Sequence, residues 1–560
     1  ILLCLGFWAW RGRDVPLIDA PSPRLPCVSY APFRDAQSPF DETLVITREQ
    51  IEDDLGILAG LTGCVRIYSV DQGLAQVPAI AERLGLEVLL GAWLGRDPER
   101  NANEIASVIE LANRHPETIR GVVVGNEVLL RGEMPPDRLI EQIRSVAAAV
   151  EAPVTYADVW EFWLRHPEVA GAVDLLTIHV LPYWEDQPVA VGAAVGHVGE
   201  VVSRMRLAVP GKPILIGEVG WPSRGRMRER ALPSPVNQAR FVREMLVMAE
   251  RDGLAINLME GMDQPWKRRL EGTVGGFWGV LDTERSAKFP MTGPVSAEPR
   301  WAAAFVASAG LALLPILGAA VRKRTLHPWG WGILAFAATG AACSLVLTVL
   351  DLPATSLGAL DWAIGIARLA IAAASLALTT HIALAGAPAT LPTPAVQLLE
   401  RVRSGRLRGM GNAADALGWL RLLTLFGIAA TSLCLAVDGR YRDFPVTAHA
   451  PAVACFVALA WLGRGRGRTA GGAREEAALA AIGIVAAGAV VAGEGVGNGQ
   501  AMTWAGVALA AATIPALELW RLEPDRTQGG KQDGNGAEFG VVEHERSGAG
   551  GGGHTDGNPA

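Results

Sequence analysis

Two long stretches without a charged residue constrain this chain more than any other feature of its sequence. Residues 301–321 and 328–350 contain no Asp, Glu, Lys or Arg over 21 and 23 positions. A helix that crosses the hydrocarbon core of a bilayer needs about 20 predominantly apolar residues. We therefore predict membrane-spanning helices here. A bundle of soluble helices is the alternative, and the uncharged runs disfavour it.

The rest of the second half has the same character. Its apolar stretches are rich in Ala and Gly, which suits close contact between helices in lipid. Five more follow the first two, at 362–386, 417–437, 444–463, 477–493 and 501–517. We predict a seven-helix transmembrane region over residues 301–521. The Gly-, Asp- and Asn-rich residues 522–560 are predicted to form a disordered cytoplasmic tail.

The loops between these stretches differ in charge, and the difference predicts an orientation. The alternate loops after the second, fourth and sixth stretches carry only Arg440 and Arg442. By the positive-inside rule, the basic loops are cytoplasmic and the segment before residue 301 is extracytoplasmic. This predicts a multi-pass protein of the cytoplasmic (inner) membrane with a periplasmic domain and a cytoplasmic C-terminus. The basic residues of the other loops are Arg322, Lys323, Arg324, Arg401, Arg403, Arg406, Arg408, Arg464, Arg466, Arg468 and Arg474.

The first residues are also apolar. Residues 1–10 are uncharged and are followed by Arg11 and Arg13. Ten residues are too few to span a bilayer alone. We predict that residues 1–26 are a truncated signal or anchor segment with a linker. A buried strand is the alternative for this segment.

Residues 27–295 alternate short apolar runs with amphipathic stretches such as 101–114 and 136–150. The runs are bounded by turn-forming residues, which is typical of buried parallel strands. They lie at 27–33, 64–70, 87–94, 119–127, 153–160, 174–184, 212–221 and 256–266. Eight such units predict an α/β fold, a (β/α)8 TIM barrel followed by an all-α multi-span transmembrane bundle. A doubly wound sheet is the alternative, but no GxGxxG follows the first run.

Two carboxylates end apolar runs of the predicted barrel. Glu127 closes the fourth run and Glu218 lies near the end of the seventh. Active sites of such barrels lie at the carboxyl ends of the strands. A buried carboxylate is costly unless it is paired, so either one alone could be a structural ion-pair partner. Two of them supply the acid and the nucleophile or base that glycosidic cleavage requires.

Several neighbouring residues fit a sugar-binding site. Asn126 offers an amide to a sugar hydroxyl, and Tyr183 is predicted to reach Glu218 and keep it ionised. Tryptophans at or beyond strand ends could stack on pyranose rings, and we expect about half of them to be packing instead. They are Trp160, Trp163, Trp184, Trp221, Trp266 and Trp278.

Four motifs together resemble glycoside hydrolase family 17, the β-1,3-glucanase family. They are GVVVGNEVL, PILIGEVGWPS, MEGMDQPWK and EGTVGGFWGVLD, within a resemblance that covers residues 27–289. The resemblance implies a retaining mechanism on β-linked glucan, with Glu127 as acid/base and Glu218 as nucleophile. It extends more loosely to bacterial membrane proteins called β-(1,6)-glucan synthases. The HVLPYW segment and the added membrane region depart from the plant-type pattern, so the acceptor stays open between water and sugar.

The residues expected to bind substrate lie in the first two apolar runs, in the motifs around the two glutamates and just after the sixth run's histidine, and in the third motif, MEGMDQPWK. We expect the two catalytic carboxyl groups to lie about 5–5.5 Å apart, as in retaining enzymes. The set is Tyr30, Arg66, Asn126, Tyr183, Trp184, Trp221, Glu260, Asp263, Trp266 and Lys267.

Three functions follow as hypotheses. The first is cleavage of β-1,3-glucosidic bonds with transfer to a glucan acceptor, which would synthesise or branch β-1,3/β-1,6-glucans. The second is a purely hydrolytic periplasmic endo-β-1,3-glucanase. The third is a membrane transporter or synthase with a glucan-binding ectodomain, favoured by Arg368 and His381 within apolar stretches. No QxxRW element is present to support synthesis from a nucleotide sugar.

Composition limits the partners. A net charge of −7 argues against nucleic acid, which attracts basic surfaces. The six cysteines show no CxxC spacing and the histidines are scattered, so we predict no metal and no cofactor. A disulfide between Cys27 and Cys64 is conceivable in an oxidising compartment, and the sequence leaves it open. The expected partners are a β-glucan or oligosaccharide, the lipid bilayer, and a glucan synthase or export protein.

Overall fold

The computed structural model describes residues 1–34, 36–322, 328–385, 391–405, 412–438, 442–462 and 474–519. Within these ranges, a closed barrel of parallel strands occupies the first half of the chain and long helices occupy the second. The predicted tail at 522–560 lies outside the described residues, as do several residues of the basic loops, among them Lys323, Arg324 and Arg406.

The barrel has eight strands in sequence order, each parallel to its neighbours, and the last pairs with the first. The predicted (β/α)8 fold is therefore confirmed. The strands are β1 Val28–Ser29, β2 Cys64–Ile67, β3 Glu87–Ala92, β4 Ile119–Asn126, β5 Val154–Val159, β6 Leu176–His179, β7 Ile214–Val219 and β8 Ala255–Leu258.

Helices cover the outside of the barrel, so its strands are buried on both faces and are accordingly apolar. Side-chain caps on Thr47, Asp97 and Ser234 accept backbone amides at the starts of α2, α4 and α8. The helices up to residue 271 are α1 Leu2–Arg11, α2 Arg48–Ala59, α3 Val77–Leu84, α4 Pro98–Arg114, α5 Pro136–Ala147, α6 Trp160–Arg165, α7 Val191–Ala208, α8 Pro235–Asp252 and α9 Arg268–Glu271.

A disulfide joins the amino ends of the first two strands. Cys27 directly precedes β1, Cys64 begins β2, and the structure bonds the two sulfurs. The sequence left this pairing open. The bridge closes a loop of 37 residues that contains α2, so it restricts the unfolded chain.

The second half forms a bundle of apolar helices. Six helices in the described part of the chain are long and apolar enough to cross a membrane. The stretch predicted at 444–463 forms a helix of 17 residues, about 25 Å long, somewhat less than the hydrocarbon thickness. The bundle helices are α10 Trp301–Val321, α11 Pro328–Thr355, α12 Ala359–Ala385, α13 Ala395–Arg403, α14 Ala413–Val437, α15 Val446–Leu462, α16 Arg474–Glu494 and α17 Gly499–Leu519.

The apolar N-terminal segment is helical, so the alternative of a buried strand is wrong. Helix α1 packs against α10, and the indole nitrogen of Trp8 donates to the Ser308 hydroxyl at 2.9 Å. Its Cys4 is fully buried beside Cys343 of α11. The segment is therefore part of the helical bundle in this structure.

The barrel and the bundle touch at three interhelical segments. Barrel residues contact the segments after α11, α14 and α16 through Ser356, Arg442 and Asn498. These are the loops in which the sequence has few basic residues.

The ionisable residues noted within apolar stretches have ordinary surroundings. The guanidinium of Arg368 donates to Thr431 at 2.7 Å and lies 3.8 Å from the carboxylate of Asp443. His381 lies on the outside of α12. Arg368 is thus paired inside the bundle, and a paired arginine does not by itself mark a transport or synthesis site.

Candidate active site

The two glutamates lie together at the carboxyl end of the barrel. Glu127 directly follows β4, and Glu218 is the last residue but one of β7. One carboxylate oxygen of each lies within 4.8 Å of the other. The side chain of Glu127 is 24% exposed and that of Glu218 is 8% exposed. The strands therefore bring both groups to one partly open site on the face where such barrels carry their chemistry.

The backbone at Glu127 is unusual. Its φ is +55°, in the left-handed region that costs a non-glycine residue roughly 1–2 kcal/mol. Gly125, two residues earlier, has a φ of +88°. The amide of Glu127 donates to the carbonyl of Ala157 in β5 at 2.7 Å. The end of β4 is thus turned and tied so that the carboxylate points across the barrel mouth towards Glu218.

His179 ends β6 and bridges the two glutamates. Its Nδ1 lies 2.8 Å from Glu127 Oε1, and its Nε2 lies 3.4 Å from a guanidinium nitrogen of Arg66 and 3.7 Å from Glu218 Oε1. Arginine only donates, so Nε2 accepts and the proton sits on Nδ1, from which it is donated to Glu127. Burial raises the pKa of Glu127, but this hydrogen bond and the charges of Arg131 and Arg66 outweigh it, so the pKa lies below its ordinary value.

Glu218 receives its own donors. The hydroxyl of Tyr68 donates to Oε1 at 2.9 Å. Burial, together with the charge of Glu218, raises the pKa of Tyr68, so its hydroxyl keeps its proton at neutral pH. That hydroxyl also lies 2.9 Å from Ser29 Oγ, which accepts from the amide of Asn257. The chain of hydrogen bonds fixes the tyrosine in its donating position.

Arg66 joins both halves of the site. It is 1% exposed and donates to the Asn126 side-chain oxygen at 2.6 Å and to the Gly217 carbonyl at 2.7 Å. The same guanidinium lies 3.6 Å from Glu218 Oε1. A Cβ on Gly217 would meet Thr177 at 2.3 Å, so only glycine fits at this packed position next to the arginine. Arg66 therefore carries the positive charge at the centre of the site.

A buried pair lies beside Glu218 on the segment after β8. Lys267 Nζ lies 2.7 Å from Glu260 Oε2, and both side chains are at most 10% exposed. Burial, partly offset by Lys267, raises the pKa of Glu260 to about 7. Burial also lowers the pKa of Lys267, but the charges of Glu260 and Glu271 outweigh it and the pKa is raised. Burial raises the pKa of Glu271 to about 8.

Asp263 belongs to a second pair. Its Oδ1 lies 2.5 Å from Lys288 Nζ and accepts the Gly279 amide at 3.0 Å. Burial raises the pKa of Asp263 to about 6. The side chain is 6% exposed and both its partners lie in the segment that follows α9. In this structure Asp263 therefore holds that segment against the barrel.

The prediction that Tyr183 keeps Glu218 ionised is wrong. The Tyr183 hydroxyl donates to the carbonyl of Arg226 at 2.7 Å, and Tyr68 is the tyrosine that donates to Glu218. The ring of Tyr183 is fully buried and packs edge-on against Trp184. Its position beyond the end of β6 turns the side chain towards the loop after β7 rather than into the barrel mouth.

The other aromatic residues predicted to bind substrate differ in how far their side chains are exposed. Trp184 is half-buried and stacked on Trp278, with ring centroids 6.2 Å apart, and Trp266 is also half-buried. Trp221 is fully buried and donates to the Leu232 carbonyl, so its ring faces are covered by protein. Tyr30 is 2% exposed and its hydroxyl donates to Asp54 at 3.4 Å, within a polar cluster that includes Arg285.

The other three tryptophans are mainly packing residues. Trp278 and Trp163 are 1% and 2% exposed, and the indole nitrogen of Trp163 donates to the carbonyl of Thr177 at 3.0 Å. Trp160 is 7% exposed and donates to Glu185 at 3.2 Å. Of the six, Trp184 and Trp266 are the two that are half-buried rather than buried.

Sequence reasoning missed Tyr68 and Glu271, and named His179 without a role. Tyr68 directly follows β2 and His179 ends β6, so both occupy the same strand-end position that identified the glutamates. That position was the available signal. Glu271 begins the fourth motif but lies in a one-turn helix after β8, where no periodicity marks it.

The site also contains a set of metal-ligand types. Glu127, His179 and Glu218 each offer one ligand atom, and the three atoms lie within 4.8 Å of one another. Arg66 already brings a positive charge to the same place, 3.6 Å from Glu218 and 3.4 Å from His179. The positive charge of Arg66 therefore accounts for the close approach of these three side chains, and the arrangement does not require a metal ion.

These features define a class. A TIM barrel with two close carboxylates at its carboxyl face and hydrogen-bond donors aimed at them has the features of a glycosidase barrel.

Comparisons with known proteins give the same class and narrow it. Residues 27–279 match the family model of the BtgE/BtgC glycoside hydrolase domain. The chain is 24% identical over 263 residues to glucan 1,3-beta-glucosidase of Saccharomyces cerevisiae, covering 43% of this chain and 84% of that protein. It is 26% identical over 253 residues to glucan 1,3-beta-glucosidase of Schizosaccharomyces pombe, covering 42% and 78%.

A solved structure is similar as well. An active-site mutant of the Rhizomucor miehei beta-1,3-glucanosyltransferase in complex with laminaritriose is 26% identical, with a TM-score of 0.43, covering 49% of this chain and 98% of that one. The barrel half of this chain is therefore similar to glycoside hydrolase domains, among them a probable family 17 glucosidase of Saccharomyces cerevisiae, and family 17 is the family that the sequence motifs resembled.

Proposed function

We propose that this protein is a retaining enzyme that cleaves β-1,3-glucosidic bonds and transfers the covalently bound glycosyl part to a second glucan. The separation of the two glutamates carries the proposal. Their oxygens lie within 4.8 Å, which fits the roughly 5–5.5 Å of retaining enzymes. An inverting enzyme needs about 6.5–9.5 Å to hold a water between the carboxyl groups.

Glu218 is the proposed nucleophile. Its carboxylate attacks the anomeric carbon, the bond to the leaving sugar oxygen breaks, and Glu127 gives that oxygen its proton. A glycosyl ester of Glu218 and a free glucan end result. Tyr68, which donates to Oε1 at 2.9 Å, and Arg66, 3.6 Å away, favour the ionised carboxylate that attack requires.

Glu127 is the proposed acid and base. In the second step its carboxylate takes a proton from the acceptor hydroxyl, whose oxygen displaces Glu218 from the anomeric carbon and restores the enzyme. The hydrogen bond from His179 favours this ionised form in the free protein. The first step uses the protonated form, whose fraction grows as the pH falls towards the lowered pKa of Glu127, so we expect the cleavage step to be favoured below neutral pH.

The substrate follows from the relatives and the site lining. Both yeast relatives are named as glucan 1,3-beta-glucosidases. We propose that a β-1,3-glucan lies over the partly exposed rings of Trp184 and Trp266, with Asn126 and the Glu260–Lys267 pair meeting its hydroxyl groups. Asp263, Trp221, Tyr30 and Tyr183 would then act by supporting this cleft.

The cellular arrangement is also part of the proposal. We propose that residues 27–295 form the extracytoplasmic barrel, that 301–521 cross the cytoplasmic membrane, and that a glucan synthase or exporter delivers the substrate. Two observations support it. Among the residues that the structure describes, six helices are long and apolar enough to span a bilayer, and the barrel contacts the three loops with few basic residues.

Hydrolysis alone is the second candidate, because the yeast relatives are named as glucosidases and both reactions use the same two carboxylates. A transporter or synthase with a glucan-binding ectodomain is less well supported, since Arg368 is paired within the bundle.

Product mapping on a linear β-1,3-oligosaccharide tests the proposal. The wild type should release shorter products and also form chains longer than the substrate. Glu218→Gln should abolish both, whereas Glu200→Gln, at an exposed position on α7, should leave both unchanged. Only shorter products would reduce the enzyme to a hydrolase. Full activity of Glu218→Gln would overturn its role as nucleophile.

A further inference from the structure

The loop after β7 is attached to the bundle. The backbones of Met227 and Arg442 exchange two hydrogen bonds of 3.1 and 2.7 Å. The guanidinium of Arg226 lies 3.2 Å from the carboxylate of Asp361, at the start of α12. The same loop leaves the barrel just after Glu218. The helical bundle thus contacts the carboxyl face of the barrel, where the candidate active site lies.

The segment after β8 is attached more specifically. The Nη2 atom of Arg268 donates to the carbonyls of Pro353 and Ser356, each at 2.9 Å, and to that of Ala354 at 3.4 Å. These carbonyls end α11. The last carbonyls of a helix have no partners within it and carry partial negative charge, so a guanidinium is a suitable cap.

Arg268, whose guanidinium caps α11, directly follows the buried lysine of the candidate active site. Lys267 precedes Arg268 and pairs with Glu260 at 2.7 Å, beside Glu218. The backbone that carries both basic residues is a three-residue 3-10 helix followed by the four-residue α9. Helices this short do not hold their shape without external contacts.

We propose that the carboxyl end of α11 is part of the active-site scaffold, and that Arg268 is a positioning residue which holds Lys267 against Glu260. The proposal rests on the proposed function, because it assigns that pair to the substrate cleft. It makes the bundle a determinant of turnover as well as an anchor. Arg269, adjacent and exposed, supplies a matched control.

The test compares Arg268→Ala with Arg269→Ala in the full chain, purified in lipid nanodiscs. Arg268→Ala should lower kcat about tenfold on a β-1,3-oligosaccharide, the size of effect that one lost hydrogen bond to a charged group produces. Arg268→Lys, which keeps the charge, should recover part of this loss. Arg269→Ala should match the wild type.

The pH profile separates positioning from general damage. With Lys267 displaced, its lowering influence on Glu260 is lost, so the titration step near pH 7 should move to higher pH. A change in folding alone would reduce the active fraction without moving that step. The other groups that act on Glu260 and Lys267 are unchanged in all three variants and are Tyr68, Glu218, Asp263 and Glu271.

A measurement without catalysis completes the design. Hydrogen–deuterium exchange over residues 265–271 should quicken in Arg268→Ala and not in Arg269→Ala. The proposal would be overturned if Arg268→Ala had the same kcat, pH profile and hydrogen exchange as the wild type. A lower melting temperature of Arg268→Ala with unchanged kcat would also overturn it. If exchange is faster in Arg268→Ala but the wild type cleaves no glucan, the proposed function is wrong. The positioning of residues 265–271 by Arg268 would then still hold.

Discussion

The barrel and the bundle both bury charged side chains, but they use them differently. In the barrel, Arg66, Tyr68 and His179 all direct polar groups at two carboxylates, of which Glu127 is partly exposed. In the bundle, Arg421 and Glu476 pair with each other at 2.6 Å, and both are 1% exposed. Charges arranged around accessible carboxylates can act on a substrate, whereas charges paired within a core act on stability.

This contrast predicts different effects for mutations in the two regions. Substitutions among the polar groups of the barrel mouth should change turnover with little loss of folded protein. Substitutions of the bundle pair should lower stability and leave the kcat of the surviving folded enzyme unchanged. The predictions below run from the largest expected effect to the smallest.

Glu127→Gln should reduce cleavage of β-1,3-oligosaccharides by about 10²–10⁴-fold, the usual contribution of a general acid–base group. An aryl glucoside with an acidic leaving group needs no proton, so formation of the glycosyl-enzyme from it should survive. Pre-steady-state release of the aryl group is the measurement. Equal loss on both substrates would remove Glu127 from the acid role.

Arg421→Met should destabilise the bundle by about 3–5 kcal/mol, because Glu476 would stay buried without its ion-pair partner. The measurement is thermal unfolding in detergent, with the exposed Arg403→Met as the control. The kcat per folded molecule should stay at the wild-type value. A large fall in kcat with unchanged stability would break the contrast between the two regions.

Tyr68→Phe removes the hydroxyl that donates to Glu218 at 2.9 Å. A hydrogen bond to a charged group contributes about 1.5–3 kcal/mol, so kcat/KM should fall by roughly 10- to 150-fold. Tyr183→Phe removes a hydroxyl that donates to a backbone carbonyl instead, and its effect on kcat/KM should be much smaller. A larger fall in kcat/KM for Tyr183→Phe than for Tyr68→Phe would support Tyr183, the tyrosine that the sequence suggested, as the partner of Glu218.

His179→Ala should move a titration step rather than abolish activity. The imidazole lowers the pKa of Glu127, so its removal lets burial dominate and the pKa rises. The protonated fraction of Glu127 then persists to higher pH, and the step in kcat/KM assigned to it should shift upward. An unchanged pH profile would show that His179 does not control the protonation of Glu127.

The same contrast explains what the sequence could predict. Parallel strands buried on both faces appear as apolar runs, so β1 to β8 were found, and strand ends identified Glu127 and Glu218. Side chains beyond a strand end follow the course of the loop. The sequence therefore assigned to Tyr183 a contact that Tyr68 makes. It also predicted that Trp221 binds substrate, whereas this side chain is fully buried.

The bundle was predicted at a coarser level. Long uncharged runs predict helices, and six in the described part of the chain are long and apolar enough to span a bilayer. Which helices touch, and that Arg268 caps α11, depend on contacts between residues 85 to 88 positions apart. No local pattern carries that information.

The stereochemistry of the first product tests the central claim most directly. Two carboxylates facing each other across one narrow cleft should retain configuration at the anomeric carbon. Proton NMR during the first minutes of reaction on a β-1,3-oligosaccharide should therefore show the β-anomer, with the α-anomer appearing only by slow mutarotation. Initial release of the α-anomer would contradict the account.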